Sequence, residues 1–177
     1  MAVLQTIRNL FVPPAYTAPV PVVPAPPTTY KIHALTVSHL EEVLRLNLRC
    51  FKNGENYTKH TFSYILNEPN TLSYRIVSAA GEMVGFICVM INADGAAHIT
   101  TIGIAPEHRR RKLAETLLSH LERAIKFRGV GTVVLEVRVG NLAAQRLYLS
   151  AGYMIVQHLV KYYNNGEDGY LMVKSLI

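Results

Sequence analysis

The sequence predicts a single α/β or α+β domain, in which a sheet carries helices on both faces. Half of the 177 residues are hydrophobic, which is enough to build a core without disulfides or a metal. Short apolar runs bounded by turn residues alternate with longer runs in which apolar residues recur at helical spacing. Mixed strands and helices of this kind are typical of a layered domain.

The first part of the domain predicts one strand, two helices and a three-stranded meander. The run at 30–35 alternates as a strand, and Thr36 or Ser38 caps the helix that follows. A short second helix is expected at 59–66. Three apolar runs joined by turns containing Gly81 and Gly95 then predict an antiparallel meander. These runs span residues 72–79, 83–92 and 97–104.

The second part predicts two more helices and three more strands. Leucines and other apolar residues recur at helical spacing from Arg110 to Phe127, and Gly129 and Gly131 end that helix. The remaining elements are a strand at 132–138, a helix at 141–151, and strands near 153–160 and 170–173. The expected order is therefore β-α-α-β-β-β-α-β-α-β-β.

A proline-rich segment precedes these elements. Seven of the nine prolines lie in the first 27 residues, and residues 19–27 are typical of polyproline II because each proline ring fixes φ. We predict an arm or linker at 1–28 and a folded domain at 29–177. The arm would be a spacer, a strap over the domain surface, or a ligand for a partner's aromatic groove.

Composition excludes several functional classes. No apolar run approaches the roughly 20 residues that span a bilayer, and prolines interrupt the N-terminal run, so we expect a cytoplasmic protein without a membrane partner. Cys50 and Cys88 form neither a disulfide framework nor a metal-binding spacing, which predicts buried, reduced thiols and no metal. The net charge of +6 acquires meaning only if the cations cluster.

Such a cluster lies at the start of the helix that follows the meander. Arg109, Arg110, Arg111 and Lys112 come directly after an apolar strand and a turn. A helix start offers unpaired N–H groups and the positive end of the helix dipole. Additional cations there are unfavourable unless a bound anion compensates their charge. A pyrophosphate cradle, a nucleic-acid patch and the solvated start of a helix all remain open.

The segment from Arg109 to Ala114 resembles the acetyl-CoA signature of the GNAT superfamily of N-acetyltransferases, Arg/Gln-x-x-Gly-x-Gly/Ala. Residues 135–141 and 143–153 also resemble the strand, asparagine and tyrosine-bearing helix of that superfamily. The particular similarity is to the ribosomal-protein-alanine and protein N-terminal acetyltransferase branch. It covers residues 30–175 and omits the proline-rich arm.

The resemblance implies a GNAT-like mixed, mainly antiparallel sheet of about seven strands flanked by about four helices. It implies acetyl-CoA as the acyl donor, no metal, and an acceptor that is the α-amino group of a protein or peptide, ribosomal proteins included. The amine would attack directly within a ternary complex. We expect a monomer or weak dimer without a nucleic-acid partner. Acetylation of a small amine or a lysine side chain is one alternative, and a non-catalytic acyl-CoA-binding domain is another.

The resemblance also assigns residues to the acyl donor. The backbone at 102–104 would bind the pantetheine arm as an added strand would. Lys112 stands where the family has glycine. Because glycine has no Cβ, it lets the pyrophosphate come close to the backbone. Because lysine is compatible with a helical φ, we expect altered rather than abolished binding. The full set of donor-binding residues is Ile102, Gly103, Ile104, Arg109, Arg110, Arg111, Lys112, Leu113, Ala114, Glu115, Asn141 and Tyr148. Helix capping explains Asn141 equally well.

Three residues are candidates for catalysis. Glu136 lies in an otherwise apolar strand, where a charge is unfavourable unless it is paired or functional. By resemblance it is the general base, acting through a water, although an ion pair with Arg138 or a neighbouring strand would also explain it. Tyr148 matches the general acid or simply packs. His98 matches a position that orients or deprotonates the substrate, or else is structural.

Three tyrosines are candidates for substrate binding. Tyr57 lies between the first two helices, and Tyr162 and Tyr163 precede the last strand. They resemble the tyrosines that enclose a peptide N-terminus in this branch, and an exposed hairpin pair is the alternative for Tyr162 and Tyr163. They favour a protein substrate.

Overall fold

The computed structural model describes residues 21–51 and 56–177, and these residues form seven strands and four α-helices. The predicted order of elements is confirmed. The strands are β1 (Tyr30–Ala34), β2 (Thr71–Ser78), β3 (Met83–Ile91), β4 (Ala97–Ile104), β5 (Thr132–Arg138), β6 (Met154–Leu159) and β7 (Gly169–Ser175). The helices are α1 (Leu40–Cys50), α2 (Lys59–Asn67), α3 (Leu113–Phe127) and α4 (Leu142–Ser150). Residues 21–29 contain no helix or strand.

The strands form one mixed, mainly antiparallel sheet in the order β1-β2-β3-β4-β5-β7-β6. Strands β2, β3 and β4 are the predicted meander. Only β4 and β5 pair in parallel, and in the described chain their pairing is confined to Ala97 with Val133 and His98 with Val134. The fold class predicted from the sequence is confirmed.

Helices cover both faces of the sheet, as neighbouring residues of β3 demonstrate. The ring of Phe86 packs edge-on against Phe62 of α2, with centroids 5.8 Å apart. A Cβ on the adjacent Gly85 would instead approach Leu117 of α3 at 3.5 Å. Because successive strand residues point to opposite faces, α2 and α3 lie on opposite sides of the sheet. The core between them is built from the buried apolar residues of β3 and the inner face of α3.

Helix α3 begins at Leu113, and not at Arg110 as the apolar spacing predicts. Arg110 and Lys112 have φ values of 64° and 58°, in the left-handed region that a continuing helix excludes. The expectation that Lys112 has a helical φ is therefore wrong. The residue that replaces the family's glycine keeps a backbone conformation that favours glycine.

Neither cysteine forms a disulfide. Cys88 is buried and Cys50 is half-buried. Burial raises the pKa of the Cys50 thiol to about 11, so this sulfur stays protonated at neutral pH. Among the described residues, no helix combines the length and the apolar character that a membrane crossing requires.

Candidate active site

The candidate site lies where β4 and β5 stop pairing. Beyond His98 the two parallel strands separate, and the register between β3 and β4 shifts opposite Cys88 and Val89, leaving Thr100 as an extra, bulged residue. The Thr100 hydroxyl donates to the Cys88 carbonyl at 3.1 Å, which holds the bulge. A cavity of about 880 Å³ occupies this region, a volume in the range of small-molecule sites.

The cavity contains one carboxylate that is paired across the two strands. Glu136 extends from β5, and its Oε2 lies 2.7 Å from the Nε2 of His98 on β4. Both side chains are half-buried, with 21% and 30% of their surfaces exposed. The partner of Glu136 is thus a neighbouring-strand residue, one of the alternatives that the sequence left open. A carboxylate that accepts from an imidazole can take up a proton from a nearby amine or water.

Arg138, two residues further along β5, pairs with a different carboxylate. Its Nη1 donates to Glu167 Oε2 at 2.5 Å and to Asn165 Oδ1 at 3.2 Å. The other carboxylate oxygen of Glu167 accepts from the N–H of Gly140 at 3.0 Å. Glu167 therefore joins the turn after β5 to the loop between β6 and β7. The sequence gives no sign of these contacts, because no local pattern pairs residues 27 or 29 positions apart.

Asn141 and Tyr148 line the same cavity from the start and interior of α4. Asn141 Oδ1 accepts from the N–H of Ala144 at 3.1 Å, so it caps the helix as well as facing the cavity. Tyr148 is 5% exposed and packs edge-on against Tyr153. Burial raises the pKa of Tyr148 well above that of an ordinary phenol, so its hydroxyl is protonated at neutral pH.

Three tyrosines surround the cavity from two loops. Tyr57 donates from its hydroxyl to the Thr100 carbonyl at 2.8 Å, which binds the loop before α2 to the bulge of β4. Tyr163 lies under the guanidinium of Arg138, whose Cζ is 3.6 Å from the ring centroid. Tyr162 packs edge-on against Tyr163 and is half-exposed. Aromatic surfaces thus meet the carboxylate of Glu136 in one cavity.

The basic cluster lies in a loop at the far end of β4. We call residues 105–112 the phosphate loop. Its last residues alternate between left-handed and other backbone conformations, and the first N–H groups of α3 have no intrahelical acceptor. Backbone of this kind forms a concave group of N–H donors that suits an anion. Arg110 and Lys112 are exposed beside these donors.

The side chains of the other two arginines are bound to this chain's own carbonyls. Arg109 donates to the carbonyls of Ile104 and Cys50, at 3.2 and 3.3 Å. Arg111 donates to the carbonyls of Ala25 and Pro26 and to the hydroxyl of Tyr30. Backbone N–H groups and the exposed Arg110 and Lys112 therefore remain for a pyrophosphate, and together they fit one.

The strand before the phosphate loop offers an edge to an extended ligand. The sequence Ile102-Gly103-Ile104 lies beyond the last pair between β4 and β5. Gly103 serves packing as well, because a Cβ there would come within 2.7 Å of the Phe86 ring. An extended arm can bind to such an edge as an additional strand does.

The structure brings some predicted residues together and keeps others apart. The predicted residues that line the cavity are Tyr57, Ile102, Glu136, Asn141, Tyr148, Tyr162 and Tyr163. His98 joins them through Glu136. The segment from Arg109 to Glu115 lies outside the cavity, at the end of β4 and the start of α3. An elongated ligand that reaches from the phosphate loop along β4 would end in the cavity.

Comparison with known proteins agrees with this geometry. The family model of the acetyltransferase (GNAT) family matches residues 40–153, from the start of α1 to the residue before β6. The chain belongs to the GNAT family of N-acetyltransferases. The match spans β4, the phosphate loop and β5, which are the elements that build the candidate site of this GNAT domain.

Individual relatives of this GNAT acetyltransferase carry related names. It is 33% identical over 152 residues to N-alpha-acetyltransferase daf-31 of Caenorhabditis elegans, and the alignment covers 82% of each chain. It is 30% identical over 159 residues to an N-alpha-acetyltransferase of Sulfolobus acidocaldarius, covering 83% of this chain and 93% of the relative. The ribosomal-protein-S18-alanine N-acetyltransferase of Escherichia coli has a similar solved structure, with a TM-score of 0.76 and 27% identity. That match covers 84% of this chain and 94% of the other. The resemblance stated from the sequence is confirmed.

Proposed function

We propose that this GNAT acetyltransferase transfers the acetyl group of acetyl-CoA to the α-amino group of a protein or peptide N-terminus. The observation that carries the proposal is the pair of Glu136 and His98, 2.7 Å apart, at a cavity bordered by three tyrosines. A base beside an aromatic enclosure suits an acceptor that arrives as an ammonium ion. The names of the relatives at 30% and 33% identity support the α-amine as acceptor.

Acetyl-CoA would bind along the far half of β4. The N–H groups at the start of α3 would receive the pyrophosphate, aided by the exposed cations of Arg110 and Lys112. The backbone of Ile102, Gly103 and Ile104 would bind the pantetheine arm and direct the thioester toward the cavity. Leu113, Ala114 and Glu115 would contribute through the first turn of α3, and Asn141 from the start of α4.

The acceptor must lose a proton before its nitrogen can attack. Glu136, oriented by His98, would accept that proton, directly or through a water. The nitrogen lone pair then forms the C–N bond while the C–S bond to CoA breaks, and the nitrogen loses its second proton as the amide forms. Tyr148, whose pKa is raised by burial and whose oxygen is therefore protonated at neutral pH, would donate that proton to the departing sulfur. The second proton that the nitrogen loses would return to the Tyr148 oxygen.

The acceptor's charge and chain fit the walls of the cavity. Aromatic rings attract an ammonium ion, and Tyr162 and Tyr163 line the cavity together with Glu136. Tyr57 closes the opposite side, with its hydroxyl bound to the backbone of β4. An N-terminal residue would enter between these groups. A peptide beginning with alanine is the first to test, because the E. coli neighbour is named for such a residue.

Initial rates with a panel of acceptors test the proposal. The panel contains peptides with free N-termini, the same peptides with blocked N-termini, polyamines and aminoglycosides, each with acetyl-CoA. We expect turnover only with the free N-termini. Turnover confined to the polyamines or aminoglycosides would contradict a peptide acceptor. Calorimetry with acetyl-CoA completes the test, because absent binding would contradict the assignment of the donor.

A further inference from the structure

A short segment before β1 lies against the phosphate loop. We call residues 24–28 the strap. The N–H of Ala25 donates to the carbonyl of Glu107 at 2.9 Å, and the guanidinium of Arg111 donates to the carbonyls of Ala25 and of Pro26, the latter at 3.0 Å. Thr28 accepts from the N–H of Ala79 at 3.3 Å. The strap is therefore bound to the loop in both directions, as donor and as acceptor.

Tyr30, the first residue of β1, completes this connection. Its hydroxyl accepts from Arg111 Nη1 at 2.6 Å and lies 3.0 Å from Nδ1 of His108, which is 5% exposed. Because arginine is only a donor, the phenolic hydrogen is left for the histidine nitrogen. The middle and the C-terminal part of the phosphate loop thus contact one hydroxyl, through His108 and through Arg111.

The loop needs such an anchor because of its backbone. Arg110 and Lys112, on either side of Arg111, both have left-handed φ values although each carries a Cβ. Side chains disfavour that conformation, and it persists only where the surroundings impose it. Arg111 lies between the two strained residues and is held by three hydrogen bonds from its guanidinium to the strap and Tyr30.

We propose that the strap and Tyr30, acting through Arg111, hold the phosphate loop in the conformation that binds pyrophosphate. Arg111 is then a positioning residue. Its guanidinium donates hydrogen bonds to the strap, and its backbone faces the anion. The proposal rests on the proposed binding of acetyl-CoA at this loop. It also gives the C-terminal end of the proline-rich segment a role in donor binding.

One substitution in the full chain removes a single strap contact. Ala25→Pro deletes the N–H that donates to Glu107, and a proline between Pro24 and Pro26 preserves the extended backbone. Val23→Pro is the matched control, because Val23 is 79% exposed and precedes the strap. If the competent loop population falls to about a tenth, the Kd for CoA rises about tenfold. We expect that rise, measured by calorimetry, for Ala25→Pro and not for Val23→Pro, with kcat at saturating acetyl-CoA unchanged.

A second pair of variants separates positioning from direct phosphate binding. Arg111→Met removes the anchor and should weaken CoA binding by a similar factor. Adding Lys112→Gly to Arg111→Met should restore part of the affinity, because glycine adopts the left-handed conformation without an anchor. That gain should exceed the gain that Lys112→Gly gives to the wild type, whereas a guanidinium that bound phosphate directly would leave the two effects additive.

Two results would overturn the proposal. One is equal CoA affinity of Ala25→Pro and Val23→Pro, and the other is a loss in Arg111→Met that Lys112→Gly leaves unchanged. Wild-type protein that binds CoA but acetylates no peptide would contradict the proposed function alone, since strap effects are measured by binding. Wild-type protein that fails to bind CoA would contradict both.

Discussion

Glu136 and His98 meet because two strands that are neighbours in the sheet carry them on the same side. Their pairing follows from the register of His98 with Val134, since Glu136 is two residues further along β5 and faces the same way. The charge of Glu136 is thereby accommodated in an otherwise apolar strand. The same contact leaves a carboxylate oriented toward the cavity.

Glu136→Gln should reduce kcat by at least about 100-fold, because the amide retains the shape of the side chain but cannot accept the acceptor's proton. The Kd for acetyl-CoA should change little, because the proposed phosphate site at the start of α3 lies outside the cavity. Steady-state kinetics and calorimetry measure the two quantities. Glu82→Gln, on an exposed turn, is the control. Loss of folding in Glu136→Gln would instead identify a structural ion-pair partner.

Lys112→Gly should raise the free energy of unfolding by up to about 1 kcal/mol, because a Cβ is sterically unfavourable at a left-handed φ and glycine has none. Binding of CoA should be preserved or tightened, because relief of the backbone strain at residue 112 outweighs the loss of one solvent-exposed cation. Lys112→Ala removes the ammonium but keeps the Cβ, so it separates strain from charge. Denaturant unfolding and CoA calorimetry provide the measurements. Equal weakening of CoA binding in both variants would mean that the ammonium itself holds the phosphate.

Candidate site residues were easiest to predict from the sequence where a side chain is chemically unusual for its neighbours. A lone glutamate in an apolar strand drew attention to Glu136, which lines the cavity, and the predicted cap at Asn141 is present. The partner of Glu136 remained open between Arg138 and another strand, because the register of parallel strands is not encoded locally. For the same reason the contact of Arg111 with Ala25, 86 residues away, had no local signal.

At the level of elements, the turn after β5 and the loop between β6 and β7 form one unit. Glu167 binds Arg138 and the N–H of Gly140, and the Gln145 side chain donates to the carbonyls of Arg138 and Val139 at 3.0 and 2.7 Å. Tyr163 leans on the same arginine. The position of the aromatic wall of the cavity thus depends on these polar contacts.

The Glu167 contacts should contribute stability that depends on pH. Its hydrogen bond with Arg138, followed by that with the Gly140 N–H, holds the pKa of Glu167 below its ordinary value. A lowered folded-state pKa gives stability that is present above the ordinary value of about 4.3 and is lost as pH falls through the folded value. The Tm of wild type should therefore exceed that of Glu167→Gln at pH 7, and the difference should vanish in acid.

Thermal unfolding from pH 7 to pH 3 measures this difference. Glu82→Gln provides the comparison, because its carboxylate is exposed and 3.7 Å from the nearest nitrogen of Arg49. A Tm difference for Glu167→Gln that stays constant across the range would show that the contact acts through packing and not through charge.

The elements themselves were predictable from periodicity, with one exception. Strand β4 and strand β5 have the predicted bounds, and the other elements differ by a few residues at their ends. The predicted start of α3 was three residues too early. The spacing of apolar residues indicates which face of a helix is buried, but it carries no information about φ. Arg110 and Lys112 interrupt the helix through their backbones, while the side-chain pattern continues.

At the scale of the whole molecule, one departure from regular pairing creates the site. The sheet is continuous in its hydrogen-bonding order, but β4 and β5 pair at only two positions in the described chain before separating. The gap receives residues from both halves of the sheet and from the loops around α1 and α4. The fold class was predictable from the sequence, and the cavity was not, since it depends on where a parallel pair stops.

Binding of the donor across this gap should stabilise the native state. At a CoA concentration of about 100 times the Kd, the free energy of unfolding should rise by about 2.7 kcal/mol, because the unfolded chain lacks the site. Denaturant unfolding with and without CoA measures the rise. Adenosine, which has no pyrophosphate, is the matched control and should produce little change. Equal stabilisation by adenosine would contradict a pyrophosphate site on the phosphate loop.

The most direct test of the account uses one peptide that carries both a free α-amino group and an internal lysine. After incubation with acetyl-CoA and this protein, fragmentation mass spectrometry locates the acetyl group. We predict acetylation at the N-terminal nitrogen, dependent on Glu136, with the lysine unmodified. Acetyl groups found on the lysine alone, with a free N-terminus, would contradict the proposed function.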